Sequence, residues 1–184
     1  HILGHNGRIA WGFTTTDSDT QDLFLERLDT DHPGHYQTPD GPAPFVTRRE
    51  TIAIKGVPAE TFTVRETRHG PVISDVYKNL AKITAQNHVI ALAATGLRPD
   101  DLTPLALYEF SKAQDWTAFR DAARYFHAPQ QNISFADTVG NIGFIAPGRV
   151  PVRRAGRGRH PVPGWTGAFD WTGFIPFDEL PRSF

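Results

Sequence analysis

Two neighbouring stretches decide the fold: residues 5–15 have the sequence HNGRIAWGFTT, and residues 17–28 have the sequence DSDTQDLFLERL. The first begins with a glycine-containing turn and continues as an apolar run, which predicts a turn that leads into a β-strand. The second begins with three carboxylates within six residues and continues as another apolar run, which predicts a second strand. The short connection between these strands therefore combines backbone N–H groups at a strand end with hard oxygen donors.

Composition excludes several classes of protein. The 184 residues include 16 glycines and 15 prolines, which favours turn-rich strands over a helical bundle. A net charge of −1 gives no general attraction to nucleic acid or to anionic membranes. The absence of cysteine excludes disulfides and thiol chemistry. No apolar run approaches the roughly 20 residues that a membrane-spanning helix needs.

The remaining pattern predicts an α+β fold, mostly antiparallel β-sheet with a two-helix insertion. Alternating apolar residues predict a hairpin around residues 56–58 and a buried strand over residues 87–95. Thr103 and Asp115 are predicted to cap two helices within residues 103–127. A turn at residues 137–140 predicts a second hairpin. We expect residues 1–184 to form one domain or a single piece of a larger one: strand-rich 1–95, helical 103–127, and a hairpin with Arg-, Gly-, Pro- and Trp-rich loops over 130–184.

The acidic run admits two interpretations. Asp17, Asp19 and Asp22, with a carbonyl of Gln21, offer the hard oxygen ligands that Ca²⁺ prefers. An EF-hand is excluded because its sixth and twelfth positions would be Asp22 and Leu28 instead of glycine and glutamate. The alternative is a surface turn whose aspartates bind no metal. His32 and His35 have a spacing that could bind a metal, but the sequence does not favour a zinc site there.

No serine–histidine–aspartate set can be defended from the sequence. His5, His69 and His127 lie near turns or helix ends without a serine in a nucleophile motif, which favours structural hydrogen bonding. An arginine cluster could be a nucleic-acid patch but is better explained as a solvated or carboxylate-paired loop; it comprises Arg149, Arg153, Arg154, Arg157 and Arg159.

Several segments in collinear order resemble the β-subunit of penicillin acylases, which are N-terminal nucleophile hydrolases. These segments are residues 4–14, 23–28, 50–52, 60–64, 69–71, 136–143 and 161–164. The resemblance covers nearly the whole chain and is weakest over residues 76–105. It implies that the chain is an internal fragment of the β-subunit and contributes to an αββα sandwich of stacked antiparallel sheets between helical layers.

The resemblance also implies a chemistry. In the family, an N-terminal serine attacks an amide carbonyl with its own α-amino group as base, and an acyl-enzyme forms that water hydrolyses. The family's oxyanion donor corresponds to the backbone N–H of Thr15, and its acyl-pocket positions correspond to Leu107 and Gln131. Its calcium ligands correspond to Asp19, Gln21, Asp22 and Gly158. Asp17 does not correspond to any of the family's ligands.

By the same resemblance, the nucleophilic serine lies upstream of His1, and the catalytic asparagine and a supporting arginine lie downstream of Phe184. We therefore expect this chain alone to be inactive. Its expected partners are the rest of the β-subunit, the α-subunit of the same precursor and a small acyl amide, without nucleic acid or membrane. We expect the protein to be periplasmic or secreted. The alternatives are an acylase of N-acyl-homoserine lactones or acyl-peptides, and a non-catalytic β-rich binding module.

Overall fold

A computed structural model describes residues 2–184. Within them the chain forms strands β1 Gly4–His5, β2 Ile9–Thr15, β3 Gln21–Arg27, β4 His35–Thr38, β5 Gly41–Pro44, β6 Val46–Ile52, β7 Glu60–Thr67, β8 Gly70–Pro71, β9 His88–Ala94, β10 Gln131–Asp137, β11 Ile142–Ile145, β12 Pro151–Arg153, β13 Val162–Pro163, β14 Trp171–Phe174 and β15 Arg182–Ser183. The helices are α1 Lys78–Ile83, α2 Thr103–Lys112 and α3 Trp116–Ala123. The predicted α+β class is confirmed, and α1 is a helix that the sequence pattern did not predict.

The chain divides into two compact units, each assembled from separate segments. The first unit comprises the residues up to Thr20, residues 95–152 and residues 171–184. The second unit comprises residues 21–94 and 153–170. The two stretches that open the sequence therefore supply a strand to each unit, β2 to the first and β3 to the second.

The first unit contains a five-stranded antiparallel sheet with the strand order β1-β2-β10-β11-β15. Helices α2 and α3 contribute to the same apolar core as the sheet, because Phe110 and Phe119 pack with Trp11, Ile133 and Ile145. The period-2 pattern explains the strand β2, in which Ile9 and Trp11 are buried while the intervening residue is exposed. The predicted hairpin of β10 and β11 is confirmed.

The two helix starts differ in how well the sequence predicted them. Asp115 is the N-cap of α3, and its side chain accepts a hydrogen bond from the Ala118 N–H at 2.8 Å. The prediction that Thr103 caps α2 is wrong, because α2 begins at Thr103 itself and Leu102 occupies the N-cap without a side-chain bond. The Thr103 hydroxyl is bonded to backbone 24 and 25 residues away, which local sequence cannot reveal.

The second unit is centred on β3, which lies between β13, parallel to it, and β9, antiparallel to it. Strand β9 confirms the predicted buried strand, with Ile90 and Ala91 in the interior. Strands β6 and β7 form the predicted hairpin, pairing Val46 with Glu66 at one end and Ile52 with Glu60 at the other. This hairpin carries several exposed apolar side chains.

No helix within residues 2–184 combines the length and the apolar character needed to cross a bilayer.

Candidate functional site

Thr15 is the last residue of β2, and the strand register fixes the direction of its backbone groups. On β10, the Gln131 N–H donates to the Pro147 carbonyl at 3.3 Å and the Asp137 N–H donates to the Asn141 carbonyl at 3.0 Å. Odd-numbered residues of β10 therefore bond toward the β11 side. Because Gln131 is the register partner of Thr15, that pair exchanges no ladder bonds and the Thr15 N–H points away from β10.

The other neighbour of β2 does not extend to Thr15. Strand β1 pairs with β2 only at Gly4 opposite Trp11 and at His5 opposite Ala10. Thr15 lies four residues beyond the last of these positions. Its N–H is thus directed to the β1 side of β2, beyond the two pairs that the described residues of β1 form, as a main-chain oxyanion donor would need.

An irregular segment, residues 16–20, follows Thr15. The Thr16 hydroxyl donates to the Gln130 carbonyl at 3.2 Å and accepts a weak bond from the Ser18 N–H at 3.4 Å. Asp17 has a φ of +54°, a left-handed conformation that aspartate tolerates better than most side chains. The end of β2 is therefore fixed to β10 by a side chain as well as by the ladder.

Leu107 and Gln131, the two residues that the resemblance assigned to an acyl pocket, line one open pocket of about 290 Å³. We call it the Leu107 pocket. Its other lining residues are mostly apolar: Ile2, Phe13, Thr103, Phe126, Ala128 and Pro129. Phe13 and Phe126 meet edge to face with ring centroids 5.5 Å apart. The Gln131 side chain donates to the Gln130 carbonyl at 2.9 Å, so its polar end is held by backbone.

The structure thus brings three of the predicted residues to one end of the sheet, since Gln131 lines the pocket and is also the register partner of Thr15. Sequence reasoning missed Phe13 as a pocket residue, although period-2 alternation with Ile9 and Trp11 indicated its face of β2. A larger open groove of about 370 Å³ between α2 and α3 contains none of the predicted site residues.

The predicted calcium ligands lie at the start of β3 and in the arginine-rich loop. Asp22 is 4 % exposed, and its carboxylate accepts hydrogen bonds from Arg153 Nε at 2.8 Å and from Arg153 Nη2 at 3.1 Å. Asp19 and Gln21 are exposed, and Gly158 has a φ of +73°. Among residues 2–184 no three His, Asp or Glu side chains converge to hold a metal.

That finding does not test the prediction, which combines two carboxylates with two carbonyls. The donor set of hard oxygens fits Ca²⁺ chemically, and the calcium site stays a prediction. The sequence did not identify Asp22 as the partner of Arg153, because the two residues lie 131 positions apart. The expectation of carboxylate-paired arginines agrees with this pair and with Arg149, which donates to Asp100 at 2.8 and 3.0 Å.

The second unit contains a network of ionisable side chains that extends from the buried Glu26 to the exposed Arg68. His69 lies between two carboxylates, with Nδ1 2.6 Å from Glu26 Oε1 and Nε2 3.1 Å from Asp170 Oδ1. Arg68 donates to both oxygens of Asp170, at 2.6 and 2.9 Å. The His69 ring also stacks on Phe24 at 3.6 Å. His69 thus has the structural role that the sequence favoured, in a network that joins three separate segments of the unit.

The pKa values of Asp170, in this network, and of His127, in the first unit, are both shifted. Burial by itself raises the pKa of Asp170, but hydrogen bonds from Arg68 and His69 outweigh it and hold the pKa below its ordinary value. In the first unit, burial lowers the pKa of His127, and the nearby charge of Arg149 lowers it further. His127 Nδ1 accepts a bond from the Leu102 N–H at 3.1 Å, which requires that nitrogen to be unprotonated.

Comparisons with known proteins agree with the resemblance. The family described as penicillin amidase matches residues 1–184. The acyl-homoserine lactone acylase QuiP of Pseudomonas fluorescens Pf-5 is 37 % identical over 98 % of this chain and 22 % of its own length. Penicillin G acylase of Escherichia coli is 36 % identical over 98 % of this chain and 20 % of its own length.

A solved structure matches as well. A thermostable penicillin G acylase from Alcaligenes faecalis superimposes with a TM-score of 0.82 at 29 % identity, covering 99 % of this chain and 32 % of that one. The chain therefore spans about a fifth of the length of the curated relatives that it matches. The full-length family match, the relatives and the superposition lead to one conclusion: this chain belongs to the penicillin amidase family.

Proposed function

We propose that this chain forms part of an amidase that hydrolyses the amide bond of N-acylated small molecules, such as penicillin-type β-lactams. One observation carries the proposal. Leu107 and Gln131 line the same apolar pocket, and Gln131 is the register partner of Thr15, whose N–H points away from the ladder. A pocket for an apolar acyl group and a donor for its carbonyl oxygen thus occur at one end of one sheet.

Each part has a role in the proposed reaction. Phe13, Leu107 and Phe126 cover the apolar acyl group and exclude water from it. The Thr15 N–H donates to the oxygen that becomes negatively charged when the carbonyl carbon is attacked. One such donor contributes about 3–4 kcal/mol to stabilisation of the transition state. Because the donor belongs to the main chain, the side chain at position 15 carries no part of this role.

The proposal takes the nucleophile from outside these 184 residues, as an N-terminal serine. Its hydroxyl oxygen bonds to the acyl carbon, and its own α-amino group accepts the hydroxyl proton. A terminal amine suits this step because its pKa, about 7.7–8.0 when unperturbed, leaves part of it neutral near pH 7. The proton then passes to the departing amine, and water hydrolyses the acyl-enzyme. The 184-residue chain by itself is expected to show no turnover.

The leaving amine distinguishes the candidate substrates. Relatives at 37 % and 36 % identity carry the name acyl-homoserine lactone acylase, while others at 36 % and 34 % carry penicillin acylase names. An N-acyl-homoserine lactone is therefore the second candidate substrate. The same pocket and the same oxyanion donor serve both, because the bond that breaks is an acyl amide in each case. Acyl-peptides and a non-catalytic role are the remaining alternatives.

The experiment uses the complete gene product that carries this chain. We expect the wild type to hydrolyse phenylacetyl amides, N-acyl-homoserine lactones or both. We expect Leu107→Phe, which fills the pocket, to raise KM at least about tenfold for long or aromatic acyl groups. Leu105→Phe on the same helix is the matched control, since Leu105 lines the separate groove. Equal effects of the two variants, or a wild type that cleaves none of these amides, would contradict the proposal.

We also propose that Asp19 and Asp22, with carbonyls of Gln21 and Gly158, hold a structural Ca²⁺. What supports this is the hard-oxygen donor set together with the family resemblance. Calorimetric titration with Ca²⁺ tests it: binding should disappear in an Asp19→Ala, Asp22→Ala double variant. It should persist in an Asp40→Ala, Asp121→Ala variant, which removes two exposed carboxylates elsewhere. Unchanged binding in the first variant refutes the ligand assignment.

We propose further that the partners are the α-subunit and the rest of the β-subunit of one precursor, and that the protein is exported. Family membership and a reaction that requires residues outside this chain support the partners. Export rests on the family resemblance alone. Co-purification of two chains after maturation, and recovery of activity from the periplasmic or extracellular fraction, test these two points separately.

A further inference from the structure

Thr103 is the first residue of α2, the helix that carries Leu107. Its hydroxyl is bonded to the segment 127–129, which forms another wall of the Leu107 pocket. We propose that Thr103 is a positioning residue that fixes this wall and thereby determines which acyl groups the pocket accepts. The inference rests on the proposed amidase function, because selection among acyl groups has meaning only for a pocket that binds them.

The hydroxyl uses its full hydrogen-bonding capacity. Oγ1 accepts from the backbone N–H groups of His127 and Ala128, both at 3.0 Å, which fills its two acceptor positions. Its one proton can be donated to Asp101 Oδ1 at 2.7 Å or to the Ala128 carbonyl at 3.2 Å, and the shorter distance favours Asp101. A threonine that merely occupied the first turn of α2 would need none of these long-range bonds.

The segment that the hydroxyl holds carries pocket residues. Ala128 and Pro129 line the Leu107 pocket, directly after the two N–H groups bonded to Thr103. The same segment is attached at two further points: His127 Nδ1 accepts from the Leu102 N–H at 3.1 Å, and the His127 carbonyl accepts from the Arg149 N–H at 2.7 Å. Of the three residues that hold this segment, Thr103 lines the pocket, whereas Leu102 and Arg149 do not.

Removing the hydroxyl while keeping the shape leaves two backbone N–H groups without their acceptor. They regain partners only if residues 127–129 move, and the pocket wall moves with them. One methylene more or less in an apolar pocket changes kcat/KM by about 10- to 200-fold. A displaced wall therefore alters the ratio between acyl chains. A general loss of stability lowers the rate for every acyl chain by the same factor and leaves that ratio unchanged.

Two substitutions and one control separate these effects. Thr103→Val removes the hydroxyl and keeps the branched shape, whereas Thr103→Ser keeps the hydroxyl. Thr38→Val is the matched control, because Thr38 Oγ1 also bonds backbone, donating to the Gly41 carbonyl at 2.7 Å, and does not line the pocket. We measure kcat/KM of the complete gene product for hexanoyl and decanoyl amides. The expected result is a shift in their ratio of about tenfold or more in Thr103→Val alone.

Amide hydrogen exchange tests, without any substrate, whether the Thr103 hydroxyl holds residues 127 and 128 in place. We expect exchange at His127 and Ala128 to accelerate by up to about tenfold in Thr103→Val, as for one lost hydrogen bond, and to stay protected in Thr103→Ser and Thr38→Val. Unchanged exchange in Thr103→Val overturns the proposal. Faster exchange with an unchanged acyl ratio also overturns it, because the wall would then be fastened without determining selection.

Failure of the proposed function has a different signature. If the wild type cleaves none of the amides, the amidase proposal fails and the pocket is tested by calorimetric titration with decanoate. The Thr103 proposal then expects binding at least about fivefold weaker in Thr103→Val than in Thr38→Val. Equal dissociation constants for the two variants, or no decanoate binding by the wild type, overturn it.

Discussion

Both units of this chain contain a buried apolar cluster, but they differ in what else their interiors hold. The first unit has an aromatic interior in which Phe119 is fully buried, with its ring centroid 4.4 Å from that of Phe110 and 5.3 Å from that of Phe135. The second unit buries charges: Glu26 is fully buried against His69, and Asp22 is buried against Arg153. Apolar packing tolerates small rearrangements, whereas buried charges destabilise strongly when a partner is lost.

The largest effect is expected from the aromatic interior. Phe119→Ala removes a ring that touches both the helices and the sheet, and it should lower the free energy of unfolding by about 3–5 kcal/mol. Urea denaturation measures it. Tyr108→Ala on α2 is the control, because Tyr108 is 59 % exposed. This substitution should change the free energy of unfolding by no more than about 0.5 kcal/mol. Similar losses for both variants would mean that the cluster is not the stabilising core.

The stability of the second unit should fall almost as much when a buried charge is removed, although that substitution changes the shape of the side chain less. Glu26→Gln conserves volume but removes the charge that faces His69, and we expect a loss of about 2–3 kcal/mol. Glu66→Gln is the comparison, since Glu66 is half-exposed and its pair with Arg48 is screened by solvent. If Glu26→Gln proved neutral, the network would not contribute to stability and the contrast between the units would disappear.

Acid should distinguish the charged interior further. Asp170 has a folded-state pKa below its ordinary value, so its contribution to stability is complete above about pH 4 and is lost as the pH falls through the folded pKa. Wild type should therefore lose more stability in acid than Asp170→Asn. Thermal unfolding between pH 7 and pH 3 measures this, with Asp40→Asn as the exposed control. Parallel curves for wild type and Asp170→Asn would contradict it.

The smallest effect is expected at the N-terminus of α3 in the first unit. Asp115→Ala removes the cap that accepts from Ala118 and should destabilise by about 1 kcal/mol. Asp121→Ala removes an exposed aspartate from the interior of the same helix and should change little. Equal melting temperatures for wild type and Asp115→Ala would show that packing of Trp116 and Phe119 alone holds the helix start.

The same contrast explains what the sequence could predict. Features set by neighbouring residues were predictable: the period-2 strands, the hairpin turn at Asp137 and the cap at Asp115. Features set by distant partners were not. Arg153 is paired with Asp22, 131 residues away in the sequence. The Thr103 hydroxyl accepts hydrogen bonds from residues 127 and 128 and does not cap its own helix.

The candidate site divides along the same line. The places of Thr15, Leu107 and Gln131 followed from family resemblance and not from pattern, because residues 15, 107 and 131 approach one another only in the folded sheet. Phe13 could have been assigned to the pocket side of β2 from alternation alone. Thr103 could have been placed beside Leu107 from their four-residue spacing on α2. Pro129 could not, since a loop residue carries no periodic signal that indicates what it lines.

The register of β2 has a consequence for how this corner can change through evolution or engineering. The Thr15 amide points out of the ladder because Thr15 lies four positions, an even number, beyond Trp11, the last position paired with β1. Substitution at position 15 leaves that direction intact. Inserting or deleting one residue between Trp11 and Thr15 would turn the amide at the strand end into the ladder and move side chains to the opposite face. A one-residue insertion or deletion at this corner is thus expected to disturb the donor more than a change of side chain at position 15 does.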